Sequence, residues 1–380
     1  MPSQPSLLPV IRDLIRASGP IPFHRFMELC LYHPQHGYYN SGRVRLGAAG
    51  DFYTSAHVTP VFARILARHF QRTWVSLGRP STFDLVEMGP GDGLLASELL
   101  SRIGQRFPEL AACLRYTAVE QSAHLRKRLG ESLSCYGDRT RIAEDLTAGT
   151  EGEFQGCVFA NEFFDALPVH LLVWRDGRWR ERCVSLLGDQ LQWSEGEPST
   201  PDLAQEADLR FAPGLELPKG ESPDGGSKEG WAAEISPQAG TWIERISGRL
   251  RRGEILLIDY GYTLEEWQRG RFPQGSALGY RKHQAVYDLL SSPGEQDLTA
   301  HVNFSQLTAA AEQCGLRVHG LQSQASFLME LGQEDEFGEV FADCNSEAER
   351  LRRSQLLKTL ILPQGMGEAF RVLRMEKKLR

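Results

Sequence analysis

The stretch FDLVEMGPGDGLLASELL, residues 83–100, constrains this chain more than any other. An apolar, strand-like run ends in a glycine-rich turn, and a helix-forming run begins directly after it. A backbone that bare lets a ligand approach closely. The helix N-terminus behind it offers unpaired N–H groups and a field that favours anions. The glycines Gly89, Gly91 and Gly93 are spaced G-x-G-x-G, whereas the dinucleotide fingerprint is G-x-G-x-x-G. Glu87 stands two residues before the first glycine. A carboxylate there repels a pyrophosphate and attracts a cation, such as the α-ammonium of an amino acid.

The next strand-like run, RYTAVEQS, carries Glu120, placed to accept hydrogen bonds from both hydroxyls of a ribose. These features describe a ligand with a ribose, a zwitterionic amino-acid end and no phosphate. S-adenosylmethionine answers that description, with S-adenosylhomocysteine as its product. Asp145 in RIAEDLTAG is a candidate for the adenine amino group, although an exposed loop aspartate explains it equally well. A nicotinamide-dependent oxidoreductase is the rival enzyme class, disfavoured by the glycine spacing.

Composition narrows the partners. The 380 residues are 41% hydrophobic and 24% charged, enough for a substantial core in one large α/β domain with additions, or in two domains. A net charge of −7 gives no general attraction to nucleic acid, so none is expected as partner. The seven cysteines are widely spaced and include no C-x-x-C. They fit neither a disulfide scaffold nor a zinc site, and they suit a reducing cytoplasm. No metal is expected. Neither a membrane-spanning apolar run nor a secretory signal is visible, so the expected location is cytoplasmic.

From residue 82 onward, strand and helix patterns alternate. The strand candidates are TFDLVEMG, RYTAVEQS, GCVFANEFF, EILLIDYGY, LRVHGLQSQ and AFRVLRM. Such alternation predicts a mostly parallel sheet covered on both faces. Residues 7–33 read as helical around the breaker GPIP, and a helix is expected from about Val58 to Val75 with Pro60 in its first turn. Residues 171–195 read as a hairpin turning at Asp-Gly. The segment 194–230 is rich in Gly, Pro, Ser and Glu and reads as a loop insertion. The expected organisation is therefore a helical N-terminal region, 1–80, followed by a cofactor-binding domain, 81–380, carrying that insertion.

The combination GDFYTSAH, LVEMGPGDGLL, VFANEFFDALPVH, IDYGY, GYRKH and PGEQDLTAHVNF resembles the MidA family of S-adenosylmethionine-dependent methyltransferases. The resemblance runs from about residue 9 to the end. It implies a class I methyltransferase fold, Rossmann-like, with a seven-stranded sheet in which one strand is reversed, plus a helical N-terminal part. A mitochondrial member of that family is a complex I assembly factor associated with symmetric dimethylation of an arginine. The resemblance thus implies a protein substrate, such as a subunit of a complex I type assembly. One departure stands out: after DFYTS the family continues with Pro-Glu, where this chain has Ala56 and His57.

Strand four would deliver Asn161, Glu162 and Asp165 to the sheet edge where doubly wound folds bind ligands. A guanidinium acceptor needs carboxylates to orient it, so Glu162 and Asp165 are the acceptor-site candidates, with Asn161 beside the cofactor. In the GDFYTS loop, Tyr53, Thr54 and Ser55 could contact the cofactor's carboxylate end, with Gly50 allowing the tight approach, although a plain turn explains the loop as well. His283 and His301 invite a general-base role, but a structural role explains them as well. A partner-binding assembly factor that keeps the fold without the chemistry is the non-enzymatic alternative. The oligomeric state is left open.

Overall fold

The computed structural model describes residues 6–42, 54–150, 152–211, 229–282 and 284–378, and for 54–59 it describes the backbone alone. The chain divides into two compact units, each assembled from segments far apart in sequence. One comprises Met1–Val44, Asp165–Thr241 and Tyr262–Leu307; the other comprises Arg45–Phe164, Trp242–Gly261 and Thr308–Arg380. This division cuts across the boundary expected at residue 80. The segment following strand four folds with Ile21–Pro22 into a separate antiparallel sheet, which a linear reading of strand–helix alternation cannot reveal.

The second unit carries the sheet expected from the alternation. Its strands are β1 (Phe83–Met88), β2 (Leu114–Val119), β3 (Thr140–Ala143), β4 (Phe154–Asn161), β5 (Leu250–Tyr262), β6 (Arg317–Ser323) and β7 (Phe370–Lys377). They lie in the order β3-β2-β1-β4-β5-β7-β6. Pairings from β3 through β5 are parallel, and β7 runs antiparallel to both β5 and β6. This is the class I methyltransferase order, with one reversed strand. In β1 five of six residues are buried, as a strand covered on both faces requires.

Helices α1 (Thr54–Ser76), α2 (Leu94–Arg106), α3 (Ala123–Leu133), α4 (Pro237–Arg249), α5 (Gln324–Gln333) and α6 (Glu347–Ile361) accompany the sheet. Helix α1 begins four residues earlier than expected, which places Pro60 inside it rather than in its first turn. It packs against α2, α5 and α6. Phe70, Leu85, Leu99, Phe159 and Phe327 meet in the resulting core. The apolar stripe of 325–332 is core packing, with Phe327, Leu328 and Leu331 buried.

The first unit holds an antiparallel sheet in the order Ile21–Pro22, Arg178–Leu187, His170–Arg175, Ala232–Ile235, with Gln190–Gly196 also paired to Arg178–Leu187. The expected Asp-Gly turn joins two of these strands, with Asp176 and Gly177 both at positive φ (50° and 76°), the geometry of a type I′ hairpin. Residues 194–230 are not a loop throughout. The strand continues to Gly196, and Pro201–Phe211 is a helix whose Leu203, Ala207 and Phe211 are buried. Those three lie four apart, on one helical face, and pack with Trp179 and Trp267. Low overall hydrophobicity hid that stripe from a compositional reading. Residues 212–228 lie outside the described part of the chain.

Backbone proximity at the middle of the large sheet leaves no room for side chains. Gly156 of β4 and Gly253 of β5 are in register, and a Cβ on Gly156 would lie 1.9 Å from the carbonyl oxygen of Asp84 in β1. Gly156→Ala is expected to force β1 and β4 apart and to cost about 3 kcal/mol or more, read as a lowered thermal midpoint. An unchanged midpoint would contradict this packing.

Candidate active site

Sheet order reverses between β1 and β4, the switch point where a parallel sheet opens a crevice at its C-terminal edge. Both motifs singled out in the sequence end there. After β1, Gly89, Gly91 and Gly93 all adopt positive φ (66°, 60° and 82°), so the turn is built from conformations other residues resist. Gly89 donates its N–H to the Val119 carbonyl, and Gly93 stands as the left-handed residue before α2. A side chain on Gly93 would strike Leu129 of α3, which fixes how tightly α2 and α3 close behind the turn.

Glu120 follows β2 and faces this turn. Its carboxylate accepts N–H groups from Ser122 (2.8 Å) and Gly91. Burial raises its pKa to about 7 against those hydrogen bonds. Glu87 lies within β1, 2% exposed, and accepts a hydrogen bond from the Tyr116 hydroxyl of β2. Burial likewise lifts its pKa to about 7, the tyrosine opposing the shift. Asp145 caps the turn of helix Leu146–Gly149, its Oδ1 accepting the Ala148 N–H at 2.8 Å.

After β4 the chain makes a sharp turn. Asn161 ends the strand, and its side-chain amide donates to Glu162 Oε1 at 3.2 Å. Glu162 has φ 53°, a left-handed conformation that costs a non-glycine residue about 1–3 kcal/mol and concentrates at functional sites. Its N–H is held by the Ile258 carbonyl at 2.9 Å. Phe163 then lays its ring over the glycine turn, so close that a Cβ on Gly89 would lie 2.8 Å from it. The indole of Trp242 meets that ring edge-on, with centroids 5.5 Å apart. The glycine turn, Asn161 and Glu162 thus converge through Phe163.

Sequence reasoning missed three contributors. Tyr116 partners Glu87, Phe163 wedges the two turns together, and Asp259 of β5 receives the N–H groups of Phe163 and Phe164 at 3.2 and 3.0 Å. Only Asp259 left a signal, as a carboxylate interrupting the apolar run ILLIDYGY of a buried strand.

Asp165 belongs to the first unit, whereas Glu162 belongs to the second. Asp165 is buried, its carbonyl accepting the Ala300 N–H at 3.0 Å. In the same unit Tyr39 donates its hydroxyl to Asp297 at 2.8 Å. His301 is brought down to about 4 by burial and then by Arg271, so it is neutral at pH 7. Gly50, Tyr53 and His283 lie outside the described residues, as do the side chains of Thr54, Ser55, Ala56 and His57.

Comparison with known proteins gives the family. A model of S-adenosyl-L-methionine-dependent methyltransferases matches residues 65–322. The chain belongs to that family. It is 32% identical, over 97% of its length and 84% of the relative's, to the mitochondrial protein arginine methyltransferase NDUFAF7 homolog of Drosophila melanogaster. Identity to the human mitochondrial protein arginine methyltransferase NDUFAF7 is 28%, over 97% of this chain and 83% of that one. A crystal structure from Burkholderia thailandensis, bound to S-adenosylhomocysteine, superposes with a TM-score of 0.83 at 29% identity, covering 98% of this chain and 92% of the other.

This methyltransferase uses S-adenosylmethionine, and its own residues fit that cofactor. The glycine turn admits close approach, while Glu120 presents a carboxylate beside Gly91, at the strand end where a ribose is held. Two consequences are measurable. Both Glu87 and Glu120 have raised pKa values, so their contribution to stability is fully present below about pH 4.5 and is lost as pH rises through 7. In cofactor-free protein the thermal midpoint is expected to fall between pH 5 and 8, and Glu87→Gln to flatten that fall. A fall unchanged in the variant would refute the assignment. Gly89→Ala adds both a strained φ and a clash with Phe163, and is expected to weaken S-adenosylhomocysteine binding about ten-fold or more, by calorimetric titration.

Proposed function

We propose that this methyltransferase modifies an arginine of a protein, producing symmetric dimethylarginine, with a complex I type subunit as acceptor. The observation that carries the reading is Glu162, held in a left-handed turn at the β4 edge beside the glycine turn. The names of the Drosophila and human relatives, both protein arginine methyltransferases, support the acceptor class. A strained carboxylate costs stability, and a fold kept only to bind a partner would have no use for it.

In this reading Glu120 holds the ribose hydroxyls, and Asp145 uses the oxygen not engaged in capping for the adenine amino group. Glu87 supplies negative charge toward the α-ammonium from beneath the turn. When bound, the cofactor supplies a methyl group on a positively charged sulfur, open to in-line attack. Glu162, its Oε1 oriented by the Asn161 amide, orients the guanidinium and stabilises its charge. Tyr53, Thr54 and Ser55 are proposed to meet the cofactor's carboxylate end, with Gly50 allowing the tight approach.

The test combines isotopically labelled S-adenosylmethionine, a cell extract lacking the enzyme, and mass spectrometry of the labelled protein. Symmetric dimethylarginine is expected, and Glu162→Gln should reduce the rate about a hundred-fold or more while cofactor binding persists. Label on lysine or on a small molecule would sink the acceptor assignment. For Glu120→Ala the expected loss lies in S-adenosylhomocysteine affinity instead.

A further inference from the structure

Glu162 cannot hold its own turn. A left-handed glutamate relaxes toward ordinary backbone unless its surroundings fix the residues on either side. On the preceding side the β4–β5 pairing does so, through the Glu162 N–H and the Ile258 carbonyl. On the following side no strand pairing continues, and the N–H groups of Phe163 and Phe164 both point at one carboxylate oxygen, Asp259 Oδ2, at 3.2 and 3.0 Å. The other oxygen, Oδ1, accepts the Tyr260 N–H at 2.9 Å. Asp259 is 2% exposed and sits one residue beyond Ile258, the register partner of Asn161. A buried carboxylate at that level, within the run ILLIDYGY, is expensive unless it receives such donors.

We infer that Asp259 is a positioning residue of the methyl-transfer site: it fixes the turn after β4 and so sets where the Glu162 carboxylate stands. The ring of Phe163 is a second fixture, seated on Gly89 and Trp242. Asp259 therefore governs the acceptor side more than the cofactor side. Only a carboxylate serves both sets of donors. In Asp259→Asn one position becomes an NH2 donor facing N–H donors, so either the Phe163 and Phe164 amides or the Tyr260 amide loses its acceptor.

The inference rests on reading Glu162 as a negative charge at the methyl end of the cofactor, and the test separates the two. Sinefungin carries a protonated amine where S-adenosylmethionine carries its methyl group, whereas S-adenosylhomocysteine carries nothing there. The ratio of their affinities therefore reports the placement of Glu162 without any acceptor. In calorimetric titrations the wild type is expected to prefer sinefungin about ten-fold, and Glu162→Gln to lose that preference. Asp259→Asn should keep S-adenosylhomocysteine affinity within about three-fold yet lose most of the preference. Added to Glu162→Gln, it should change the ratio no further, because it acts through Glu162.

A wild type without preference would overturn the reading of Glu162, and this inference with it. Asp259→Asn retaining the full preference, while Glu162→Gln loses it, would overturn the role of Asp259 alone. So would an equal loss of both ligands, which marks a merely structural residue. If Asp259→Asn does not fold, Asp259→Glu keeps both acceptor oxygens one methylene further out and should give a reduced preference. A preference equal to the wild type's in that variant would equally overturn the inference.

Discussion

The site depends on one reversal of direction in a sheet. Because β1 and β4 are neighbours while their onward neighbours lie on opposite sides, the connections leaving their C-terminal ends part and open a crevice. The glycine turn after β1 and Glu162 after β4 both stand at that switch point. The three left-handed glycines turn the chain tightly after β1, and left-handed Glu162 does the same after β4. Phe163 fills the space between, which is why Gly89 has no room for a side chain.

Buried carboxylates in the same unit are treated in different ways, and the difference tracks their surroundings. Glu254 of β5 is buried too, and burial opposes its ionisation. His69 and Arg374 outweigh that and hold it well below the usual carboxylate range. Glu87 meets the neutral Tyr116 hydroxyl, and Glu120 meets backbone N–H groups with a lesser pull from Arg126, so burial prevails and both are raised to about 7. A structural ion pair stabilises the charged form at any ordinary pH. A carboxylate balanced near neutrality can answer a positively charged or hydroxyl-bearing ligand, which is where perturbed groups in a crevice direct attention.

The first unit shows how much tertiary context can hide. Its helix Pro201–Phe211 lies in a stretch whose composition suggests a loop, yet Phe211 packs against Trp179 and Trp267 with centroids 6.3 and 4.8 Å away. Aromatic anchors contributed by distant segments stabilise a helix that its own sequence barely advertises. Asp165 illustrates the complementary point. One residue after Phe164 the chain passes into a different unit, so proximity in sequence to Glu162 does not make the two carboxylates part of one structural element.

The sequence by itself determined six of the seven strands described in the large sheet, the glycine turn and the cofactor class. These are local matters: a buried parallel strand must be apolar, a tight turn must use glycine, and a carboxylate at a strand end keeps its place whatever surrounds it. The type I′ hairpin at Asp176–Gly177 was legible for the same reason. Only the tertiary structure decided the strand order, the division into two units and the contacts that shape Glu162. Those depend on which segments meet after long excursions of chain. Asp259 lies almost a hundred residues from the turn it holds, and no local preference records that pairing. Hydrogen bonds to backbone N–H groups leave no mark on the identity of the residues that donate them.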